Sequence, residues 1–150
     1  MGSDLLRRSA DVALESTIVG SFTRLGPSVR RHLWAWQDLP EGALDGKVVV
    51  VTGGTSGLGR EIARGVARAG ATVVVVGRSR ERGTAVVSEL REHGSPARFL
   101  PADLSDLTAV ERLAEELAEH HPQLHALVHN AGALLGQREE SPQGLSLIHI

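Results

Sequence analysis

Residues 48–63, VVVVTGGTSGLGREIA, constrain the fold of this chain more than any other segment. Four consecutive valines open it, and an uncharged β-branched run is typical of a strand buried on both faces of a parallel sheet. Glycines at positions 53, 54, 57 and 59 follow, and then helix-forming residues resume. Glycine permits a tight turn, and a helix that starts there directs its first amides and its dipole at an anion. The segment therefore predicts a turn that binds the pyrophosphate of a dinucleotide.

The residues after these glycines separate this turn from two other phosphate-binding loops. A nucleoside-triphosphate loop, GxxxxGK followed by Ser or Thr, needs a lysine and a hydroxyl where the chain has Arg60 and Glu61. A carboxylate at that point would repel phosphate. The GxGxxG fingerprint fails as well, because Ile62 occupies the position of its last glycine. Both interpretations are therefore rejected.

The pattern that fits is TGxxxGxG, formed by Thr52, Gly53, Gly57 and Gly59. With this pattern the chain resembles the classical short-chain dehydrogenase/reductase family, and the resemblance covers about residues 46–145. It implies the N-terminal, cofactor-binding part of an enzyme that uses a nicotinamide dinucleotide. The cofactor contacts implied for this loop are Thr52, Gly53, Thr55, Ser56, Gly57, Leu58 and Gly59. The alternative is a glycine-rich turn that binds nothing.

Composition excludes several other classes of protein. A net charge of −2 argues against general affinity for nucleic acid. The absence of cysteine excludes disulfides and thiolate chemistry and is compatible with the cytoplasm, where we expect the protein to act. No apolar run approaches the roughly 18 residues that span a bilayer. Charged residues interrupt the first 20 positions, so these do not form a secretory signal.

Residues 1–45 are predicted to form a separate amphipathic extension and linker. Apolar residues recur there at loose helical spacing, with Gly26 and Pro27 as a break and residues 40–45 as the linker. The extension either covers an edge of the main domain or makes a peripheral membrane contact through residues 5–36, where arginines outnumber acids. It is similar to the extensions of reductases that act on lipophilic carbonyls such as retinoids.

From Lys47 onward, strand and helix patterns alternate. Strands are predicted over residues 48–51, 72–76, 97–100 and 124–129, and helices over residues 58–68, 80–92 and 106–120, with Ser79 as the N-cap of the second helix. Right-handed crossovers between parallel strands then give an α/β fold, a partial Rossmann-type doubly wound parallel sheet in the order 3-2-1-4. The ligand is expected in the crevice above Val51 and His129, where the strand order reverses.

The tip of the second strand predicts the choice of cofactor. Folds that select NAD carry an acid about 20 residues beyond the glycines, on the ribose 2′-hydroxyl. Here the chain has Arg78 and Ser79, and a guanidinium can bind a 2′-phosphate in a bidentate manner. We therefore expect NADP (NADPH) to be preferred over NAD. The alternative is a solvated arginine in a basic run with Arg80 and Arg82.

Two later segments match the family's pattern residue by residue. Asp103, followed by Leu104, stands where the resembled family binds the adenine amino group, although Asp103 could instead cap a helix. Asn130, Ala131 and Gly132 match the signature that passes beside the adenine ribose. His129 precedes them where family members often have Asn, which is a departure from the pattern.

Three histidines at spacings of four, His121, His125 and His129, do not predict a metal site. Pro122 prevents one helix from presenting all three, and no cysteine or nearby acid completes a ligand shell. We therefore assign no metal ligand.

The catalytic residues of the resembled family have no counterpart in this chain. The family uses a Tyr-xxx-Lys pair and a helping serine after the fourth strand, whereas this sequence has no tyrosine and its one lysine is Lys47. No catalytic residue is therefore assigned. We expect the chain to be a truncated cofactor-binding fragment of an enzyme that moves hydride between NADPH and a carbonyl or alcohol. We expect a homo-oligomer only for the full-length enzyme. The alternative is a non-catalytic NADPH-binding module or sensor. Residues 146–150, SLIHI, form an apolar tail that resembles a translated sequencing adapter.

Overall fold

Four strands, connected by helices, form one parallel sheet in the second of the two units of this protein. The computed structural model describes residues 2–16, 25–35 and 39–147, and the chain divides into units Met1–Leu39 and Pro40–Ile150. The first unit contains helices α1 (Gly2–Glu15) and α2 (Leu25–Leu33). The second contains, in chain order, β1 (Val48–Thr52), α3 (Gly57–Arg68), β2 (Thr72–Gly77), α4 (Arg80–Glu92), β3 (Ala97–Pro101), α5 (Leu107–His120) and β4 (Ala126–Val128).

The sheet has the predicted topology. All pairings are parallel and the strand order is β3-β2-β1-β4, so the α/β doubly wound prediction is confirmed. In the register, Val50 of β1 lies beside Val74 of β2 and Leu127 of β4. Parallel strands all end at the same edge, so the segments that follow β1, β2, β3 and β4 meet there.

The valine runs of β1 and β2 supply the core on both faces of the sheet. Side chains alternate along a strand, so Val49 and Val51 pack with α3 and α4 while Val50 packs on the opposite face near Leu113 of α5. Val50, Val51 and the four valines of β2 are fully buried. Each such burial contributes about 1.5–3 kcal/mol, and this explains why no polar residue interrupts either run.

A carboxylate joins the two helices on the first face. Glu89 of α4 accepts hydrogen bonds from Arg64 Nε and Arg60 Nη2 of α3, both at 2.5 Å. The bond from Arg64, then that from Arg60, lowers the pKa of Glu89 to about 2. Arg64 also pairs with Glu61 within α3. This network fixes α3, the helix that follows the glycine turn, against its neighbour.

Several boundaries differ from the predicted ones by one or two residues. Helix α3 starts at Gly57 instead of position 58, and α5 starts at Leu107 because the Asp106 carboxylate caps it, accepting the Thr108 N–H at 3.0 Å. Strand β4 is shorter than predicted. Before it, the Val48 N–H donates to Nδ1 of His125 at 3.0 Å, so an imidazole serves as acceptor at that end of the pairing.

The expected break at Gly26 and Pro27 is wrong. Both lie in the first turn of α2, where a proline costs no hydrogen bond because the first helical N–H groups have no intrahelical acceptor. Arg30 of α2 donates to Asp11 of α1 at 2.5 Å and pairs the two helices. Other apolar positions of the predicted pattern (Ile18, Val19, Phe22 and Trp36) lie outside the described residues.

The segment expected to be a linker packs on the second unit. The Leu44 N–H donates to the carbonyl of Ala69 at 2.7 Å, and the Leu44 side chain packs against the core. The structure therefore divides the chain between Leu39 and Pro40 and not at residue 45. Residues 148–150 of the apolar tail lie outside the described part of the chain. The Leu147 N–H donates to the backbone carbonyl of Glu139 at 3.0 Å.

A helix glycine on α4 tests this packing. A Cβ at Gly83 would lie 2.2 Å from the ring of Phe99 on β3, so Gly83→Ala must displace that ring from the core. We expect a loss of about 1–3 kcal/mol in the free energy of unfolding, measured by urea denaturation. Gly65→Ala in α3 is the control, because its Cβ would meet nothing within 4 Å. That variant should gain up to about 1 kcal/mol. Equal gains in both variants would contradict the packing described here.

Candidate nucleotide-binding site

The turn between β1 and α3 is bracketed by two glycines in the left-handed region. Gly53 has a φ of 66° and Gly57 a φ of 53°. A side chain at either position would strain the backbone. The turn therefore needs glycine at its first and last residues, before any ligand is considered.

The ends of β1 and β4 are joined by side chains of the two family signatures. Thr52 is buried, and its Oγ1 donates to the carbonyl of Val128 and accepts the N–H groups of Asn130 and Ala131, each at 3.1 Å. The Asn130 amide donates to the carbonyls of Thr52 at 3.0 Å and Gly53 at 3.4 Å. The Thr52 hydroxyl and the Asn130 side-chain nitrogen are thus used within the protein. Both residues shape the turn, and they leave its outer side to other groups.

Two of the signature glycines are required by this close approach. A Cβ at Gly59 would lie 2.4 Å from both Asn130 Nδ2 and the Gly53 carbonyl, and one at Gly53 would lie 2.9 Å from the Cα of Ala131. Contact within the protein, and not only access for a ligand, therefore excludes larger residues at both positions. A Cβ at Gly57, in contrast, meets nothing within 4 Å, so the turn is open there.

The open side presents the start of α3. Ser56 is the N-cap residue in an extended conformation, and its hydroxyl makes no capping hydrogen bond. Ser56, Gly57 and Leu58 are exposed. Because the first N–H groups of a helix have no intrahelical acceptor, this turn offers amides, a hydroxyl and the positive end of a helix dipole to an anion.

The tip of β2 lies directly beside the turn. The Gly54 N–H donates to the Val76 carbonyl at 3.3 Å, and a Cβ at Gly77 would lie 2.7 Å from the Thr55 methyl. Arg78 follows and is exposed. Ser79 caps α4 as predicted, since its Oγ accepts the Arg82 N–H at 3.3 Å.

The segment after β3 adds a fixed carboxylate. The Ala102 N–H donates to the Gly77 carbonyl at 3.1 Å, which places this segment next to the tip of β2. Oδ1 of Asp103 accepts the N–H and the hydroxyl of Ser105 at 3.0 and 2.7 Å. These bonds lower the pKa of Asp103 below its usual value, with a smaller contribution from the positive charge of Arg78.

The remaining predicted residues divide between core and surface. Asp103 does not cap α5, since Asp106 does, so that alternative is wrong. Leu104 is half-buried and packs on the cluster that contains Leu113. Ala131 and Gly132 are exposed at the end of β4. The structure therefore brings the cofactor-binding residues predicted from the sequence to one edge of the sheet, with Leu104 packed on the core.

Sequence reasoning missed two residues at this edge. Ser105 could have been found from its position two residues after an aspartate, a common local turn. Gln143 gave no local signal. Its side chain donates to Asp106 Oδ1 at 2.8 Å, although the two residues are 37 positions apart in the sequence. This hydrogen bond is the largest cause of the lowered pKa of Asp106.

Among the residues that the structure describes, no group of three or more His, Cys, Asp or Glu side chains could hold a metal ion. His125 accepts a backbone N–H, as described above. Burial lowers the pKa of His121, and the positive charges of Arg98 and His120 add to the effect. Within the same described residues, no helix is long and apolar enough to cross a membrane.

Comparison with known proteins extends these observations. A model of the short chain dehydrogenase family matches residues 47–145. The chain is 46% identical over 91 residues to a 3beta-hydroxysteroid dehydrogenase from Mediterraneibacter gnavus, covering 61% of this chain and 33% of that protein. It is 34% identical over 122 residues to retinol dehydrogenase 12 from Bos taurus, covering 80% and 39%. The chain thus spans between 33% and 39% of the length of these two curated relatives.

A solved structure agrees with the fold. A metagenomic short-chain oxidoreductase in complex with NADP superposes with a TM-score of 0.58 at 38% identity, over 60% of this chain and 41% of that one. The strand order, the glycine turn and the signature at the end of β4 are all within the segment that the family model matches. The chain belongs to the short-chain dehydrogenase family.

Proposed function

We propose that the edge formed by the ends of β1 to β4 binds NADP(H), and that this chain is the cofactor-binding part of an oxidoreductase acting on a carbonyl or alcohol. The observation that carries the proposal is the open turn at residues 53–57, bracketed by left-handed glycines and followed by an uncapped helix start. A pyrophosphate matches this donor set in charge and in hydrogen bonding.

The proposed contacts follow from the exposure of each group. The pyrophosphate lies against the amides at the start of α3 and the Ser56 hydroxyl, and the adenosine extends over Gly77 toward Asp103. Thr55, packed on Gly77, and Gly132, with open space beside it, border the two riboses. Leu58, which is 72% exposed, lies beside the turn. When bound, the nicotinamide ring supplies or accepts hydride, and the chain supplies binding and orientation.

Preference for NADP over NAD is proposed from the charges at the tip of β2. Arg78 is exposed beside the turn, and residues 77–79 contain no acid that would bind a 2′-hydroxyl and repel a 2′-phosphate. The relative solved with NADP is consistent with this choice. A charge-assisted hydrogen bond contributes about 1.5–3 kcal/mol, enough for roughly ten- to hundredfold discrimination.

The substrate of the whole protein is proposed only by class. The similarity to two relatives, a hydroxysteroid dehydrogenase and a retinol dehydrogenase, favours a lipophilic alcohol or carbonyl. We place the protein in the cytoplasm, with peripheral membrane contact through residues 5–36 as a further proposal. In that extension Leu5, Leu6 and Val12 are more than 60% exposed on α1. Homo-oligomers are proposed for the full-length enzyme alone.

A second candidate is an NADPH-binding module without turnover. The absence of tyrosine and the single lysine, at position 47, favour it, because a carbonyl oxygen needs a proton donor during hydride transfer. Lys47 precedes β1, at the opposite end of that strand from the turn. Residues 1–150 therefore bind the dinucleotide without reducing a carbonyl.

Replacing Arg78 tests the cofactor choice. Arg78→Asp should weaken NADPH by about 2 kcal/mol or more and change NADH binding little, because the lost partner is the 2′-phosphate. Calorimetric titration of both dinucleotides measures the difference. Arg82→Asp is the matched control, because it changes the same charge one helical turn along α4 and should affect both dinucleotides little. Equal losses of NADPH and NADH in Arg78→Asp would contradict the proposal.

Turnover tests the second candidate. We expect residues 1–150 to consume no NADPH in the presence of ketones, aldehydes or quinones, because the sequence has no tyrosine and its one lysine, Lys47, precedes β1. The reaction is followed by the decrease in absorbance of the reduced nicotinamide over time. Reproducible consumption that is abolished by Gly57→Trp would show instead that this chain is catalytic by itself.

A further inference from the structure

A histidine fastens the start of β4 to β1 with its side chain as well as its backbone. The His125 N–H donates to the Val48 carbonyl at 3.0 Å, and the Val48 N–H donates to Nδ1 of His125 at 3.0 Å. A ring nitrogen that accepts a hydrogen bond carries no proton, so the second contact exists only while the imidazole is neutral. We propose that this contact is a proton-sensitive latch, which releases the start of β4 when the His125 ring is protonated in mildly acidic solution.

Two other histidines of the described chain bond through the same ring nitrogen in the opposite role. Nδ1 of His93 lies 2.7 Å from the carbonyl of Glu89, and Nδ1 of His120 lies 3.0 Å from the carbonyl of Glu116. A carbonyl oxygen only accepts, so the imidazole is the donor in both contacts, and a protonated ring keeps the bond. At His125 the partner is an N–H group, and a protonated ring would bring two donors together. Of these three contacts, only the latch is lost on protonation.

The surroundings of His125 do not offset a positive charge on its ring. The charged or titratable side chains at the same end of the sheet, before β1, on β3 and at the end of α5, are Asp45, Lys47, Arg98, Glu116, His120 and His121. Within the described ranges, none of them forms a hydrogen bond or an ion pair with His125, and Glu116 pairs with Arg98 at 3.0 Å. His125 is exposed, so its imidazolium can turn into water and leave the Val48 N–H without this acceptor. Histidine changes charge between about pH 5 and 8, and the latch opens as the pH falls through that range.

A second histidine, His121, adds a separate pH-dependent contribution at the end of α5. Burial, followed by the positive charges of Arg98 and His120, lowers its pKa from the ordinary value of 6.5. The stability that the neutral ring contributes is therefore complete above about pH 6.5 and decreases as the pH falls toward the lowered pKa. Since this contribution does not involve the Val48 N–H, variants that all keep His121 separate it from the latch.

The latch acts on the strand whose other end joins the glycine turn. Strand β4 has three residues, and β1 is its neighbour in the sheet. At its carboxyl end, the Thr52 hydroxyl accepts the N–H groups of Asn130 and Ala131. Opening of the latch removes a side-chain attachment at the start of this short strand, so we expect the loosening to reach the turn. A weaker NADPH site in acid follows, and this consequence alone rests on the proposed binding of NADP(H).

Amide exchange of the chain of residues 1–150, measured by NMR at about pH 7.5 and about pH 5, tests the latch. The protection factor of the Val48 amide, relative to that of the Val75 amide in β2, should fall at least about tenfold in the wild type, the effect of one lost hydrogen bond. His125→Asn places a carboxamide oxygen where Nδ1 lies and does not titrate, so its fall should be at least about fivefold smaller. His93→Asn is the matched control and should behave as the wild type, because it removes a histidine whose bond survives protonation.

The outcomes separate the latch from the proposed function. Equal falls in the wild type and His125→Asn, or no fall at Val48 relative to Val75 in the wild type, would overturn the latch. If His125→Asn does not fold, His125→Asp replaces it, since its carboxylate also accepts an N–H and stays largely ionised at about pH 5.

Calorimetric titration of NADPH into the same proteins tests the consequence for the site. Between the two pH values, the wild type should lose at least about threefold more affinity than His125→Asn, because only its latch opens. Equal losses would overturn the coupling to the turn. Failure of every protein to bind NADPH would overturn the proposed function, while the exchange of Val48 would still decide whether the latch exists.

Discussion

The hydrogen bonds between Thr52 and the start of the segment after β4 organise the rest of the site. One buried hydroxyl accepts two backbone N–H groups and donates to the carbonyl of Val128, and the Asn130 amide returns two bonds to the turn. A buried hydroxyl with all its bonds made is favourable, whereas leaving the same groups unpaired would cost about 1–3 kcal/mol each. These bonds therefore hold the glycine turn against the end of β4.

That shape explains the glycine pattern better than ligand access alone. Gly59 must lack a side chain because the Asn130 amide and the Gly53 carbonyl occupy the space, and Gly53 because the backbone of Ala131 does. Gly57 differs, since its requirement is conformational and its outer side is open. Only the last of the three faces the space that a pyrophosphate would fill. In this chain, the packing of β1, α3 and the end of β4 thus requires two of the three glycines.

The local parts of this fold were predictable, and the long-range parts were not. Uninterrupted valines identified β1 and β2, and Ser79 identified the start of α4, because burial and capping act within a few residues. The hydrogen bond from the Val48 N–H to the His125 side chain, before β4, joins residues 77 positions apart in the sequence. The contact of Gln143 with Asp106 is of the same kind. Such contacts are set by the tertiary fold and leave no periodic signal.

The roles of the site residues were only partly accessible from the pattern TGxxxGxG. It located the turn and the open start of α3, but it gave no sign that Thr52 and Asn130 bond to each other. The break expected at Gly26 and Pro27 failed for a related reason. Proline stops a helix in its interior yet fits its first turn, and the sequence alone did not establish on which side of the pair α2 begins.

Amide hydrogen exchange with and without NADPH tests the central claim most directly, that a preformed turn tied to β4 binds the dinucleotide. The amides of Asn130 and Ala131 should already exchange slowly without ligand, because both donate to Thr52. The amides of residues 54–59 should become slower when NADPH is added. Fast exchange at Asn130 and Ala131 in the free chain, or an unchanged rate throughout residues 54–59 at saturating NADPH, would contradict the account.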